Sequence, residues 1–195
     1  MKKLLIFFFF LIVLTNACKK DETIPVKASE NPVSSLISDV DWAVSDASNG
    51  SRYELGYVFS ATAKGKITQL AAQMKDPGIY TVSVWDADSK SLLRQKAIEQ
   101  TSPNKFSLAT VDELVIEKDK KYVVSINNTI SNVAKGYNAL KKKVASSAAI
   151  FPISRGSIII QKSVYSISAV TIFPSVDYSA SNAFYGFADI TFIPD

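Results

Sequence analysis

Between Tyr53 and Asn127 the chain three times alternates apolar and polar residues with a period of two. Tyr53, Leu55, Tyr57 and Phe59 alternate with Glu54, Gly56, Val58 and Ser60; Tyr80, Val82 and Val84 with Thr81, Ser83 and Trp85; Tyr122, Val124 and Ile126 with Val123, Ser125 and Asn127. Successive side chains of a β-strand point to opposite faces, so this period commits the segments to half-buried antiparallel strands. Turn residues fall between the runs, at Ala63-Lys64-Gly65-Lys66, Asp76-Pro77-Gly78, Asp86-Ala87-Asp88-Ser89, Ser102-Pro103-Asn104 and Glu117-Lys118-Asp119-Lys120. Short strands at this spacing predict an all-β fold, a single antiparallel β-sandwich or jelly-roll-like domain over residues 41–195. That stretch is a normal length for one buried core.

Two further segments continue the pattern. Ser157 to Val170 is rich in Ile and Val and reads as one long or two short strands. Phe184 to Ile193 closes the domain, with Phe184, Gly186, Ala188, Ile190 and Phe192 expected on the core face, and Tyr185, Phe187, Asp189 and Thr191 opposite. From Thr129 to Ala149 the alternation fails. Val133, Tyr137, Leu140 and Val144 fall there at helical spacing, which predicts a short helix or an irregular crossover.

A family resemblance rests on five blocks. They are Glu54-Leu55-Gly56 with Phe59, Gly65-Lys66-Ile67-Thr68, Tyr80 through Asp88 with Leu92-Leu93, Lys121-Tyr122-Val123-Val124-Ser125, and Ala188-Asp189-Ile190-Thr191-Phe192. Together they resemble domain-of-unknown-function family 4082 across most of residues 41–195, and the Val-Ser-Val-Trp-Asp-Ala-Asp block is the most specific piece. The resemblance implies a non-catalytic β-sandwich module of secreted bacterial proteins, with binding or spacing as its work. Ser89 departs from the family in standing where a turn glycine is favoured, and the tryptophan usual near Lys105-Phe106 is absent.

The start of the chain has a different character. Lys2 and Lys3 precede an apolar run from Leu4 to Leu14, followed by Thr15-Asn16-Ala17 and the single cysteine, Cys18. A basic start, a short apolar run and small residues before the cut describe an export signal. The run is too short for a bilayer, whose hydrocarbon core takes ~20 apolar residues in a helix. With no second thiol for a disulfide, Cys18 is the expected site of lipidation on a bacterial lipoprotein. Residues 1–17 are then removed, and residues 18–40 form the lipidated N-terminus and a flexible tether. Lys19-Lys20-Asp21-Glu22 resembles the charged export signal of surface-exposed lipoproteins. The expected address is the outer membrane, lipid-anchored and facing the cell surface, with a periplasm-facing location as the alternative.

Charge and chemistry narrow the function. Removing Lys2 and Lys3 from the 22 basic residues leaves 20 against 18 acidic ones, too even a balance for a nucleic-acid surface. With no histidine in the chain and its one cysteine committed to lipid, serine triads, cysteine–histidine pairs and His/Cys zinc sites are excluded. No phosphate-cradling glycine motif is present. The residues require no cofactor, and no catalytic residue is assigned. Asp86 and Asp88 form an Asp-x-Asp pair of the type that offers oxygens to calcium, but the same four-residue stretch reads first as a turn whose side chains bond their own backbone. Sugar recognition uses aromatic faces beside polar groups, and Trp85, Tyr137, Tyr178, Tyr185 and Phe187 are the candidates for it. The sequence therefore predicts a membrane-held, non-catalytic sandwich that binds a glycan or a surface protein. The alternative is a structural or adhesive subunit that assembles by sheet-edge pairing.

Overall fold

The computed structural model describes residues 27–144, 147–179 and 181–195, and their regular secondary structure is almost entirely strand. Cys18 and the expected signal segment lie outside the described residues. In chain order the elements are α1 (Pro32–Ile37), β1 (Trp42–Asp46), β2 (Tyr53–Ala61), β3 (Gly65–Gln73), β4 (Gly78–Asp86), β5 (Leu92–Gln100), β6 (Ser107–Ile116), β7 (Lys121–Asn127), β8 (Thr129–Ile130), β9 (Val133–Ala134), β10 (Asn138–Lys142), β11 (Ile153–Arg155), β12 (Ile158–Ile167), β13 (Val176–Asp177), β14 (Phe184–Tyr185) and β15 (Phe187–Pro194). One layer is an antiparallel sheet in the order β11-β12-β2-β7-β4-β5, with β13 on the far edge of β12. The opposing layer is split into two three-stranded sheets, β1-β10-β14 and β15-β3-β6.

The alternation read from the sequence sets which side chains face the core. Tyr57, Phe59, Tyr80, Val84 and Val124 are fully buried between the layers, where Ile190, Phe192 and Leu70 meet them from the other side. The outward residues of the large sheet do not simply face water. Val58, Trp85, Val123 and Val164 form a second, smaller apolar cluster, covered by Phe173 from the connection between β12 and β13.

Three expectations are corrected. No helix forms around Val133, Tyr137, Leu140 and Val144; β9 and β10 lie there, and β10 pairs on both sides, with Ala139 opposite Ser45 and Tyr185. Sheet pairing outweighs a periodicity of only four positions. The last strand is also interrupted. Gly186 takes a φ of +66°, and a Cβ there would meet the Leu55 side chain at 2.7 Å, so the chain kinks between β14 and β15. The kink resets the alternation. Phe184 and Phe187 both enter the core, stacked with ring centroids 6.0 Å apart.

The expected tether through Val40 is likewise too long, because the fold begins by Glu30. The Glu30 backbone exchanges two hydrogen bonds with Phe192, at 2.7 and 2.9 Å. Pro32 opens α1, where its missing N–H costs nothing. The next two amides, of Val33 and Ser34, donate to the Asp189 carboxylate at 3.0 and 2.8 Å. Val33 and Leu36 are fully buried, so the short helix plugs the core. The cap comes from the other end of the chain.

This junction fixes a polarity. Ala61, Gly65 and Pro194 lie at one end of the sandwich, together with Lys27, whose ammonium donates to the Asp195 carbonyl. Tyr53, Gln73 and Phe187 lie at the other end, roughly 23 Å away at ~3.3 Å per residue along β15.

Candidate functional site

At the pole remote from Lys27 the interlayer core runs out into a ladder of tyrosines. Tyr53 contacts Tyr137 and Tyr165 edge-on, both with centroids 5.9 Å apart; Tyr165 meets Tyr178 at 5.2 Å; Tyr178 stacks on Tyr185 at 4.2 Å. Tyr137 is buried and the other four are half-buried. Each comes from a different place: the first residue of β2, the turn before β10, the last part of β12, the segment after β13, and β14. Burial raises the Tyr178 hydroxyl to about 12, with Tyr185, Tyr53 and Tyr165 adding to the effect, and burial raises Tyr137 as well. The Tyr178 and Tyr137 hydroxyls therefore stay protonated at neutral pH. Rings at the rim of a core, each carrying a polar hydroxyl, suit a ligand with both apolar and hydroxylated faces.

Three of the five aromatic candidates, Tyr137, Tyr178 and Tyr185, are thus brought together. The structure does not bring Phe187 or Trp85 to them. Phe187 is fully buried in the main core. Trp85 lies on the outward face of the large sheet, 8 % exposed, with Phe173 edge-on at 5.9 Å and its indole N–H donating to the Ser125 Oγ at 2.8 Å. Neither offers a free ring face, so both are corrected from binding candidates to packing residues. Tyr53 and Tyr165 were not among the candidates, because both sit on the core face of their strands. Their place at the strand ends turns a core position into a rim position.

Asn128 holds this pole together. Its side chain accepts from the Tyr53 amide at 2.6 Å and donates to the Ser51 and Lys135 carbonyls at 3.1 and 3.0 Å. Its backbone pairs with Tyr53 and Lys135 as well. Fully buried, this one amide ties the loop before β2 to the hairpin of β8 and β9. A rigid frame of this kind keeps a site in one geometry. Beside Tyr53 opens a groove of about 390 Å³, lined by Gly50, Ser51, Arg52, Ile167, Ser168 and Ala169. The Asn49 amide donates to the Tyr53 hydroxyl at 2.9 Å on the same side.

The Asp86 carboxylate is used by its own turn. Its Oδ1 accepts from the amides of Asp88 and Ser89 at 3.0 and 2.8 Å, and its Oδ2 pairs with the Lys120 ammonium at 2.6 Å. Lys120 and these donors hold the Asp86 carboxyl well below the usual carboxylate range. The turn residue Asp76 sits at the opposite end of β4, away from Asp86 and Asp88, and accepts from the Gly136 amide. The left-handed residue of the Asp86 turn is Lys90, at φ 60°, which explains how Ser89 stands in place of a glycine.

A buried acid lies beneath the connection that covers Trp85. Glu54 is fully buried, with Ser125 Oγ donating to it at 2.5 Å, Asn127 Nδ2 at 3.0 Å, and the Ile172 backbone amide completing the set. Burial outweighs these donors and raises its carboxyl to about 7. The Trp85 indole, the Ser125 hydroxyl and Glu54 form one hydrogen-bonded line across three strands. This line holds residues 168–175 against the sheet.

No curated protein matches the chain. A family profile described as a domain of unknown function (DUF4082) matches residues 40–185, from just before β1 to β14. The matched span contains the tyrosine ladder and the groove, and leaves α1 and β15 outside. Covering about three-quarters of the sequence and the large sheet from β11 to β5, the match shows that this chain belongs to the DUF4082 family of domains of unknown function.

Proposed function

We propose that this protein is a bacterial lipoprotein, anchored through Cys18, that holds a non-catalytic β-sandwich at the cell surface and binds glycan on the tyrosine ladder. The observation that carries the reading is the position of the ladder, half-exposed at the pole opposite Lys27. An anchor at Cys18 leaves the twelve residues Lys19–Glu30 as the link to the fold, roughly 40 Å at full stretch. The fold would then stand close to the membrane with its tyrosines directed away from it. A diacylglyceryl cysteine with a further acyl chain gives a stable anchor, at ~0.8 kcal/mol per buried methylene.

The anchor is tested by metabolic labelling with a fatty-acid analogue and by fractionation. The protein is expected to carry label and sediment with membranes, and Cys18→Ser to lose both; an unlabelled parent protein contradicts the assignment. The ligand class is tested on a glycan array with the chain from Lys19 onward, which keeps every described residue. Retention of at least one glycan above background is expected, and retention of none contradicts the reading.

A second reading, assembly through sheet edges, draws on β5 and β6. These strands expose Leu92, Leu108 and Val115 at the open side of the two layers. Arg94 opposes it, because its guanidinium donates to the Asp112 and Glu113 carbonyls of β6, at 3.1 and 3.2 Å, and so blocks that edge with a charge.

A further inference from the structure

The groove beside the ladder has its own chemistry. Of its six lining residues only Arg52 is charged, and the others present small or aliphatic side chains. The loop that carries Arg52 is fixed from three sides. Asn128 takes the Ser51 carbonyl and the Tyr53 amide, the Ser168 amide donates to the Arg52 carbonyl at 3.0 Å, and the guanidinium itself leans on the Asn132 carboxamide oxygen. That last contact comes from a tight turn in which Ser131 and Asn132 take φ values of 47° and 63°. One nitrogen of the guanidinium is so held, while the side chain remains exposed. No acidic residue forms an ion pair with it among the described residues. A guanidinium fixed at one corner keeps a fork of donors for a planar carboxylate, which neutral sugars lack. Gly50 adds room, with φ at +76° and nothing within 4 Å of a Cβ placed there.

We infer that this groove is a subsite for a carboxylate-bearing sugar, so that the glycan on the tyrosine ladder is an acidic one with a uronic acid placed beside Tyr53. This rests on the glycan reading above. The tyrosine rings would take the pyranose faces, the second amide hydrogen of Asn49 a hydroxyl, and Arg52 the carboxylate. Because the groove is open to solvent, the charge contribution is expected to weaken in salt, whereas the stacking contribution is not.

The test is a pair of calorimetric titrations on the chain from Lys19 onward, with oligogalacturonate and with the matching neutral galactose oligomer. The acidic oligomer is expected to bind at least tenfold more tightly in 50 mM salt, and the margin to shrink in 500 mM salt. Arg52→Gln, first shown to be folded by its unfolding transition, is expected to remove the margin. Equal binding of the two oligomers, or a margin that survives Arg52→Gln, overturns the acidic subsite and leaves the glycan reading standing. Binding of neither oligomer overturns this subsite; only a blank glycan array removes the glycan reading with it. Poly-glutamate bound as tightly as oligogalacturonate, with the same loss at Arg52→Gln, overturns the assignment to a sugar.

Discussion

Leu36→Ala is expected to destabilise the fold by about 2–5 kcal/mol, the usual cost of emptying a fully buried leucine site. That is a large share of the ~5–15 kcal/mol that holds a domain of this kind. The effect is surprising for a residue in a segment that composition marks as linker. It follows from the plug made by Val33 and Leu36 and from the buried Asp189 carboxylate, which the helix supplies with the Val33 and Ser34 amides. A chain that begins at Asp41 loses both together and is expected to melt lower still. Urea unfolding of the chain from Lys19 onward measures the loss, and a Leu36→Ala variant within 0.5 kcal/mol of the parent, roughly the range of ordinary surface changes, contradicts it.

The second large effect concerns pH. Burial raises the Glu54 carboxyl to about 7, and burial raises Asp189 to about 6. An acid whose folded pKa stands above its unfolded value keeps its proton longer in the fold. Between the two values the folded state binds more protons, so unfolding free energy falls as pH rises, and levels off above the folded pKa. For Glu54 the window runs from 4.5 to about 7, and the loss is roughly 3 kcal/mol at 1.36 kcal/mol per unit. Asp46 and Asp86, held low by Lys75 and Lys120, titrate below this window with the opposite sign. The protein is therefore expected to be more stable at pH 5 than at pH 8, and Glu54→Gln to remove most of Glu54's share of that slope. Denaturant unfolding at a series of pH values measures it. A profile that rises from pH 5 to pH 8 contradicts the burial argument.

The parts legible in the sequence were those set by local pattern. Period two with turn residues between the runs identifies β2, β4 and β7 and their core faces, because the pleat alone dictates them. What escaped depends on partners far along the chain. The helix α1 is only six residues, too short to show a period, and its cap lies more than 150 residues away in β15. Trp85 is on the outward face, as its alternation implies, but the connection from β12 to β13 covers it with Phe173, which no pattern near Trp85 announces.

The site was half legible for a related reason. Tyr137, Tyr178 and Tyr185 stood out because no strand pattern claimed them for the core. Tyr53 was hidden because a strand pattern did, and Tyr165 because it falls inside the Ile- and Val-rich run from Ser157 to Val170. Both meet the rim only because of where their strands end, and strand ends are the least determined feature of an alternating sequence. Asn128 was hidden too. An asparagine after a strand reads as turn material, and its role becomes visible only when Ser51, Tyr53 and Lys135 are seen around it.

The claim that the tyrosine ladder is the binding surface is tested most directly by calorimetry, with a glycan that the array retains. Parent protein, Tyr178→Ala, Tyr185→Ala and Trp85→Phe are compared, each first shown to be folded by its unfolding transition. Loss of one stacking tyrosine is expected to weaken binding by tenfold or more, as aromatic contacts of ~1.5 kcal/mol or more require. Trp85→Phe, on the covered outer face, is expected to bind like the parent. Unchanged affinity in both tyrosine variants would contradict the account.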